Sequence, residues 1–323
     1  MEQNKTALIV FPVKRQSDRA RFEKALPEHR FFYLEDGPIS DELFAEAEVI
    51  FGNPTAEMLA PCKKLKWLQL GSAGADSYVV KGLLPEGTML TNATGAYGDA
   101  IGEYMVAVTF ALCNHLPLYR DNQMESQWIR YEPGRAVEGS TVLCVGMGDI
   151  GGAYAKRMKA LGCTVYGIRR TKSAAPDYVD GLFQLDMLDE LLPKADIVAL
   201  SLPNSAQTRG LITKERLALM KNDAFLINIG RGTAICTDAL VEALRNNTIG
   251  GAAMDVTDPE PLPSDHPLWK CKNALITPHI SGGFGQMRVY DTFISICLEN
   301  VEHFKAGEEM RNVVDFSTGY RKS

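Results

Sequence analysis

Short apolar runs alternate with polar stretches of helical period along this chain. Ala7–Val13, Phe31–Leu34, Val49–Phe51, Trp67–Leu70 and Met89–Thr91 read as strands. Asp18–Ala25, Asp41–Ala47 and Thr55–Leu59 read as the helices between them. Strand–helix alternation with short links predicts a parallel sheet, because parallel strands must be joined by a crossover. Asp99–Cys113 is apolar nearly all round. It predicts a helix buried between layers or in a subunit interface, with Asp99 as its N-cap. A polar segment follows, Arg120–Ser140, carrying Trp128 and Pro133–Gly134. A second alternating series follows. Thr141–Val145, Thr164–Ile168, Ile197–Leu200, Ala224–Asn228, Gly250–Met254 and Ala274–Ile276 are its strands; Ile150–Ala160, Lys214–Met220 and Asp238–Arg245 are its helices. Several of these strands are continuous apolar runs, as expected where helices cover both faces. A last helix spans about Gln286–Lys305. The fold class is therefore α/β with doubly wound parallel sheets.

Composition narrows the function. The 323 residues correspond to about two domains at roughly 150 residues each. A hydrophobic content of 46% with 23% charged residues excludes a disordered chain. Lys plus Arg is 34 and Asp plus Glu is 40, so the net charge is 34 − 40 = −6, which offers no basic face for nucleic acid. The most apolar stretch, Met105–Cys113, falls far short of the ~20 residues of a membrane span. Met1–Lys5 followed by Ala7–Phe11 lacks the apolar length and cleavage site of a secretory leader. Seven cysteines without a C-x-x-C pair read as reduced packing residues, so a cytoplasmic protein without metal is expected.

Candidate chemistry begins where Val142–Val145 runs into Gly146–Met147–Gly148–Asp149–Ile150–Gly151, a G-x-G-x-x-G between a strand and a helix. With 28 glycines in the chain, the bare pattern would arise about 0.2 times by chance, so its context carries the weight. Gly146 permits the tight turn, Gly148 lets a pyrophosphate approach the backbone, and Gly151 lets helix and strand pack closely. The amides of Asp149 and Ile150, at the helix start, then bind phosphate, with the Asp149 side chain turned away. The next strand ends in Arg169–Arg170–Thr171–Lys172–Ser173, with no carboxylate before Asp177. Cations and hydroxyls suit a 2′-phosphate, so NADP(H) is favoured over NAD(H).

Three further segments follow strands of the second series: Asn228–Gly232, Asp255–Pro261 and Thr277–Gly283. They carry Arg231, Glu260 and His279 to strand ends, where ligands of such sheets bind. The set fits hydride exchange with a 2-oxo acid. Arg231 holds the carboxylate and polarises the carbonyl, and His279 exchanges the proton. Glu260 pairs with His279, orients the ring and favours its charged form. His29, His115, His266 and His303 read as structural.

In these motifs the chain resembles the D-isomer-specific 2-hydroxyacid dehydrogenases, from the first strand to the last helix. The resemblance implies two Rossmann-like or flavodoxin-like domains with a cleft between them. One is a discontinuous substrate domain of residues 1–97 plus 287–323; the other is a dinucleotide-binding domain of residues 98–286. It implies Arg231, Glu260 and His279 as the catalytic set, and Asp255 beside the nicotinamide carboxamide. Leu70–Ala75 resembles the family's substrate loop, whose amides at Ser72, Ala73 and Gly74 would hold a carboxylate. Tyr97 matches a position that lines the pocket or packs at the hinge, and Glu103 a structural one. Pro203 and Thr208 belong to the cofactor loop, where Ser201 stands in place of a frequent His. A homodimer is implied, with Asp99–Cys113 in the contact. Small 2-oxo acids and D-2-hydroxy acids are the substrate class, with glyoxylate, pyruvate, hydroxypyruvate, branched 2-oxo acids and 3-phosphoglycerate all open. The absence of a regulatory domain after Ser323 disfavours a feedback-controlled form. Formate dehydrogenases of this fold call for Gln at the place of Glu260. A phosphite-oxidising relative keeps the same triple, and a dinucleotide-sensing corepressor shares the fold, so both remain alternatives.

Overall fold

The computed structural model describes residues 5–132, 134–317 and 319. Met1–Asn4, Pro133 and Ser323, which entered the sequence reading, lie outside the described residues. In chain order the elements are β1 (Lys5–Val10), α1 (Gln16–Ala25), β2 (His29–Tyr33), α2 (Asp41–Glu46), β3 (Ala47–Gly52), α3 (Ala56–Leu59), β4 (Trp67–Gln69) and β5 (Met89–Thr91). There follow α4 (Gly98–Cys113), α5 (Leu116–Met124), β6 (Thr141–Val145), α6 (Asp149–Ala160), β7 (Thr164–Ile168), β8 (Gly181–Phe183), α7 (Leu188–Leu191) and β9 (Ile197–Leu200). The last are α8 (Lys214–Leu219), β10 (Phe225–Asn228), α9 (Thr237–Arg245), β11 (Gly251–Met254), β12 (Ala274–Ile276) and α10 (Met287–Ala306). The chain divides into two compact units, Met1–Ala96 with Phe284–Ser323, and Tyr97–Gly283. Among the described residues no helix is long and apolar enough to cross a membrane.

The first unit carries a five-stranded sheet in the order β2-β1-β3-β4-β5, parallel throughout. Successive crossovers run in opposite directions from β1, so the strand order reverses between β1 and β3. The carboxyl ends of strands at such a point form the usual ligand crevice. Helix α10 brings the chain back to this unit. Its buried positions Val289, Tyr290, Phe293, Ile294, Cys297 and Val301 form one stripe at helical spacing. Phe293 meets Phe11 edge-on at 5.1 Å, and Phe304 lies 5.3 Å from Trp67. Each such ring stabilises by about 2 kcal/mol through burial. A polar network crosses the same contact. The Trp67 indole donates to Thr91, whose hydroxyl donates to Gln69 Oε1, and Asn300 Nδ2 donates to that same oxygen at 2.8 Å. Pairing offsets the cost of burying these groups.

The second unit carries a seven-stranded parallel sheet, β12-β11-β10-β9-β6-β7-β8. Here the order reverses between β6 and β9. Strands β6, β9, β10 and β11 are buried almost end to end, as their apolar runs predict. Helices α4 and α6 pack closely: a Cβ on Gly102 would lie 3.3 Å from Ala153, and the Thr109 and Tyr154 hydroxyls are 2.8 Å apart inside the contact.

One expectation is corrected, and two elements appear that the apolar pattern did not announce. Asp99 is not the cap of α4; the helix begins at Gly98, whose amide donates to the Asp149 carboxylate at 2.9 Å. Asp99 instead pairs with Arg157 of α6 at 3.0 Å. The cap came from a residue fifty positions away, which local sequence does not reveal. The connection after α4 contains α5, started by Pro117 in its first turn. Strand β8 is only three half-buried residues, too short for a periodic signal.

Candidate active site

The glycine-rich turn joins β6 to α6, and its three glycines differ in what surrounds them. Gly146 has φ +102°, and a Cβ on it would sit 2.7 Å from the Ser201 carbonyl oxygen. A Cβ on Gly151 would overlap the Gly146 carbonyl oxygen and lie 2.6 Å from Ser201 Oγ. These two are demanded by the protein's own packing. Around Gly148, by contrast, no atom lies within 4 Å of an added Cβ. Nothing in the fold requires glycine there, so the open space beside its backbone is what a bound group would use. Asp149 sends its carboxylate to the start of α4, away from the turn, and leaves the first turn of α6 to present amides.

Strand β7 lies beside β6, and Gly146 N donates to Ile168 O at 3.0 Å. Arg169 and Arg170 therefore follow directly alongside the glycine turn. Arg169 donates through Nη1 to Ser173 Oγ at 2.9 Å, while Arg170, Thr171 and Lys172 are exposed. On the other side of β6, Ser201 follows β9 and donates its hydroxyl to Gly146 O at 2.7 Å. The loop beyond it is organised by buried Thr208, which donates to Pro203 O at 2.6 Å and accepts from Ser205 N.

The ends of β10, β11 and β12 lie side by side, and they carry the Arg–Glu–His triple. Asn228 shapes the first loop: its side chain accepts from Gly230 N and donates to Arg231 O. A Cβ on Gly232 would overlap the Thr257 carbonyl, so this loop locks onto the one that carries Glu260. Arg231 Nη1 donates to Gly230 O at 2.8 Å. His279 Nδ1 and Glu260 Oε1 are 2.6 Å apart, with both side chains about half exposed. His279 has φ +53°, a left-handed conformation that costs a non-glycine residue energy unless its surroundings enforce it. Asp255 supplies the enforcement. It is 2% exposed, and its carboxylate accepts from Thr277 Oγ1 at 2.6 Å, Ile280 N at 2.9 Å and Ser281 N at 3.0 Å. Its carboxylate thus grips the His279 loop on both sides. Tyr97, at the start of α4, packs its ring against Gly282, and burial pushes its phenol up to about 12.

In the first unit, the loop after β4 holds Ser72, Ala73 and Gly74. Asn53, just past β3, accepts from Gly71 N at 3.0 Å and donates to Ser72 Oγ at 2.9 Å. Ser72 Oγ donates to Gly74 O, and Ser72 O accepts from Ala93 N. Among the described residues the amides of Ser72, Ala73 and Gly74 donate to no protein acceptor. Of the other histidines, His266 caps the turn at Leu268 N, and His29 is buried with its pKa lowered by desolvation.

Asn53, Asn92, Asn228 and the Ser201 hydroxyl were missed as site-shaping groups. Asn53 and Asn228 stand at strand ends, the same signal that singled out Arg231, and that rule applied evenly would have found them.

These arrangements define a two-sheet α/β protein of the dinucleotide-binding class. The sequence profile of the D-isomer specific 2-hydroxyacid dehydrogenase NAD binding domain matches residues 106–281. A glyoxylate reductase of Thermofilum pendens is 35% identical over 70% of this chain and 68% of its own length. A D-isomer specific 2-hydroxyacid dehydrogenase family protein from Aeromonas salmonicida has a solved structure that superposes with a TM-score of 0.84, at 32% identity over 97% of this chain and 99% of that one. A second, from Xanthobacter autotrophicus and solved with NADPH and MES, gives 0.80 at 28% identity over 98% of this chain and 100% of that one. The chain belongs to the D-isomer specific 2-hydroxyacid dehydrogenases, and is an NAD(P)-dependent oxidoreductase.

Proposed function

We propose that this enzyme reduces small 2-oxo acids to D-2-hydroxy acids in the cytoplasm, with NADP(H) preferred. The observation that carries the reading is the 2.6 Å His279–Glu260 pair on the strand end next to the Arg231 loop. The second unit is the dinucleotide domain and the first the substrate domain. The residues present fit a dinucleotide: open space at Gly148, amides of Asp149, Ile150 and Gly151 at a helix start, and two arginines alongside. Arg169, Arg170 and Thr171 take the 2′-phosphate, which is the reason for preferring NADP(H). Pro203 and Thr208 shape the loop beside it, and Asp255 sets the nicotinamide side by holding the loop of residues 277–281. When bound, the nicotinamide supplies or accepts the hydride.

The chain's own groups do the rest. Arg231 binds the substrate carboxylate and polarises the carbonyl. In the first unit, the amides of Ser72, Ala73 and Gly74 offer donors that suit an acid group. Tyr97 presents a neutral phenol to the pocket. Glu260 holds His279 through Nδ1, so Nε2 is left to give its proton to the carbonyl oxygen as the carbon is reduced. In oxidation the same nitrogen takes the hydroxyl proton. Glyoxylate, the substrate in the name of the Thermofilum pendens relative, is the first acid to test. His279→Ala should lower turnover about 10²–10⁴-fold and leave cofactor affinity within twofold, read by nicotinamide absorbance and fluorescence. Retained turnover would remove His279 as the acid.

A homodimer completes the proposal. Phe110, Leu116, Tyr119, Met124, Trp128 and Ile129 are exposed apolar side chains clustered in sequence around α4 and α5, and Trp128 is 97% exposed. Exposed apolar side chains grouped in this way support the reading of a subunit contact. Sedimentation at the monomer mass would discard this part.

A further inference from the structure

We propose that three asparagines, Asn300, Asn312 and Asn92, are positioning residues that set the aim of the Ala73 and Gly74 amides from the chain's C-terminal segment. The inference rests on the assignment of those amides to the substrate acid group.

The three side chains are buried and each grips backbone. Asn300 of α10 accepts from Arg311 N at 2.7 Å and donates to Arg311 O at 3.0 Å, which fixes the segment leaving the helix. That segment runs antiparallel along the edge strand β5, with Val313 opposite Thr91 and Val314 N donating to Leu90 O at 2.8 Å. Asn312, at φ +61°, donates to Thr94 O at 2.8 Å and to Asn92 O at 3.2 Å, and its own carbonyl accepts from Asn92 N. Asn92 in turn accepts from Thr94 N at 3.1 Å and donates to Ala73 O at 2.8 Å.

The last contact is the one with a consequence for binding. A trans peptide is planar, so its C=O and the next N–H point in opposite directions. Because Asn92 holds Ala73 O, the Gly74 N–H is aimed to the far side. In the same way Ala93 N holds Ser72 O at 2.9 Å and turns the Ala73 N–H outward. Two adjacent amides are thus pointed away from β5 by partners that the C-terminal segment holds in register. A small-residue loop has little stiffness of its own, so its aim depends on these contacts.

The test uses the full chain with NADPH and oxalate, a non-reducible analogue of a 2-oxo acid, followed by calorimetry and amide resonances. Oxalate should shift the Ser72, Ala73 and Gly74 amides in the wild type. Asn92→Asp is isosteric, keeps the acceptor for Thr94 N and loses the donor to Ala73 O. Asn312→Gly keeps the left-handed backbone and deletes the grip on Thr94. Both should weaken oxalate about tenfold, and shrink the Ala73 and Gly74 amide shifts, with NADPH affinity unchanged. A purely structural role would lower the unfolding midpoint and leave oxalate affinity alone. Wild-type oxalate affinity in either folded variant would overturn the relay. Absence of the amide shifts in the wild type itself would overturn both the relay and the underlying assignment, independently of turnover.

Discussion

The loop after β6 and the loop after β4 each leave the carboxyl end of a parallel strand, the first beside the reversal of strand order in its sheet and the second one strand away from the reversal in its own. They are built in opposite ways. The β6 loop is held by backbone: Gly146 and Gly151 press so close to Ser201 and to each other that a Cβ does not fit. The β4 loop is held by side chains, with Asn53 on one flank and Asn92 on the other. The first leads into a helix of 12 residues, whose amide dipoles already favour an anion. The second is followed by no such helix, so its amides must be aimed one at a time. A loop with a dipole behind it needs close packing; a loop without one needs a scaffold of hydrogen bonds.

Substitutions can break this contrast. Gly151→Ala should have the largest effect, because its methyl would overlap the Gly146 carbonyl oxygen. Overpacking of this kind costs about 1–3 kcal/mol or more, so a large drop in the thermal midpoint is expected. Gly148→Ala, three residues earlier, meets nothing and should keep the wild-type midpoint while losing about tenfold or more in cofactor affinity, on the order of 1.4 kcal/mol. Equal midpoints for the two variants would refute the packing argument. Replacing Arg169 and Arg170 together by Ala should weaken NADPH by about tenfold to a hundredfold, since hydrogen bonds to charged groups contribute about 1.5–3 kcal/mol, and should leave NADH nearly unchanged. Parallel losses for both cofactors would sink the 2′-phosphate assignment. The smallest effect belongs to the β4 loop: Asn53→Ala removes two hydrogen bonds worth about 1 kcal/mol each. KM for glyoxylate should rise several-fold without a change in cofactor affinity. A rise in both would mean that Asn53 supports the fold at large rather than the loop.

Much of the fold was legible beforehand. Continuous apolar runs located the buried strands of the second sheet, and the stripe in α10 was periodic enough to be seen. Strand β8 escaped because three half-buried residues carry no period. Helix α5 escaped because its sequence, LPLYRDNQM, is mostly polar and buries only Asn122. At the candidate site, glycines and titratable residues announced themselves by type and by place at a strand end. The asparagines did not, since Asn53, Asn92 and Asn312 act by gripping backbone, and any exposed turn contains the same residue.

The sequence by itself determined the alternation, the glycine turn, the basic strand end and the order Arg231, Glu260, His279. These depend on residue type and on spacing within one segment, which a linear chain records. Only the tertiary structure decided that the Asp149 carboxylate receives the first amide of α4, that Asp255 clamps the His279 loop, and that Gly148, alone of the three glycines in its turn, is free of packing. Each of those facts is a distance between atoms remote in the chain or a space left unfilled, and neither is written in the local order of residues.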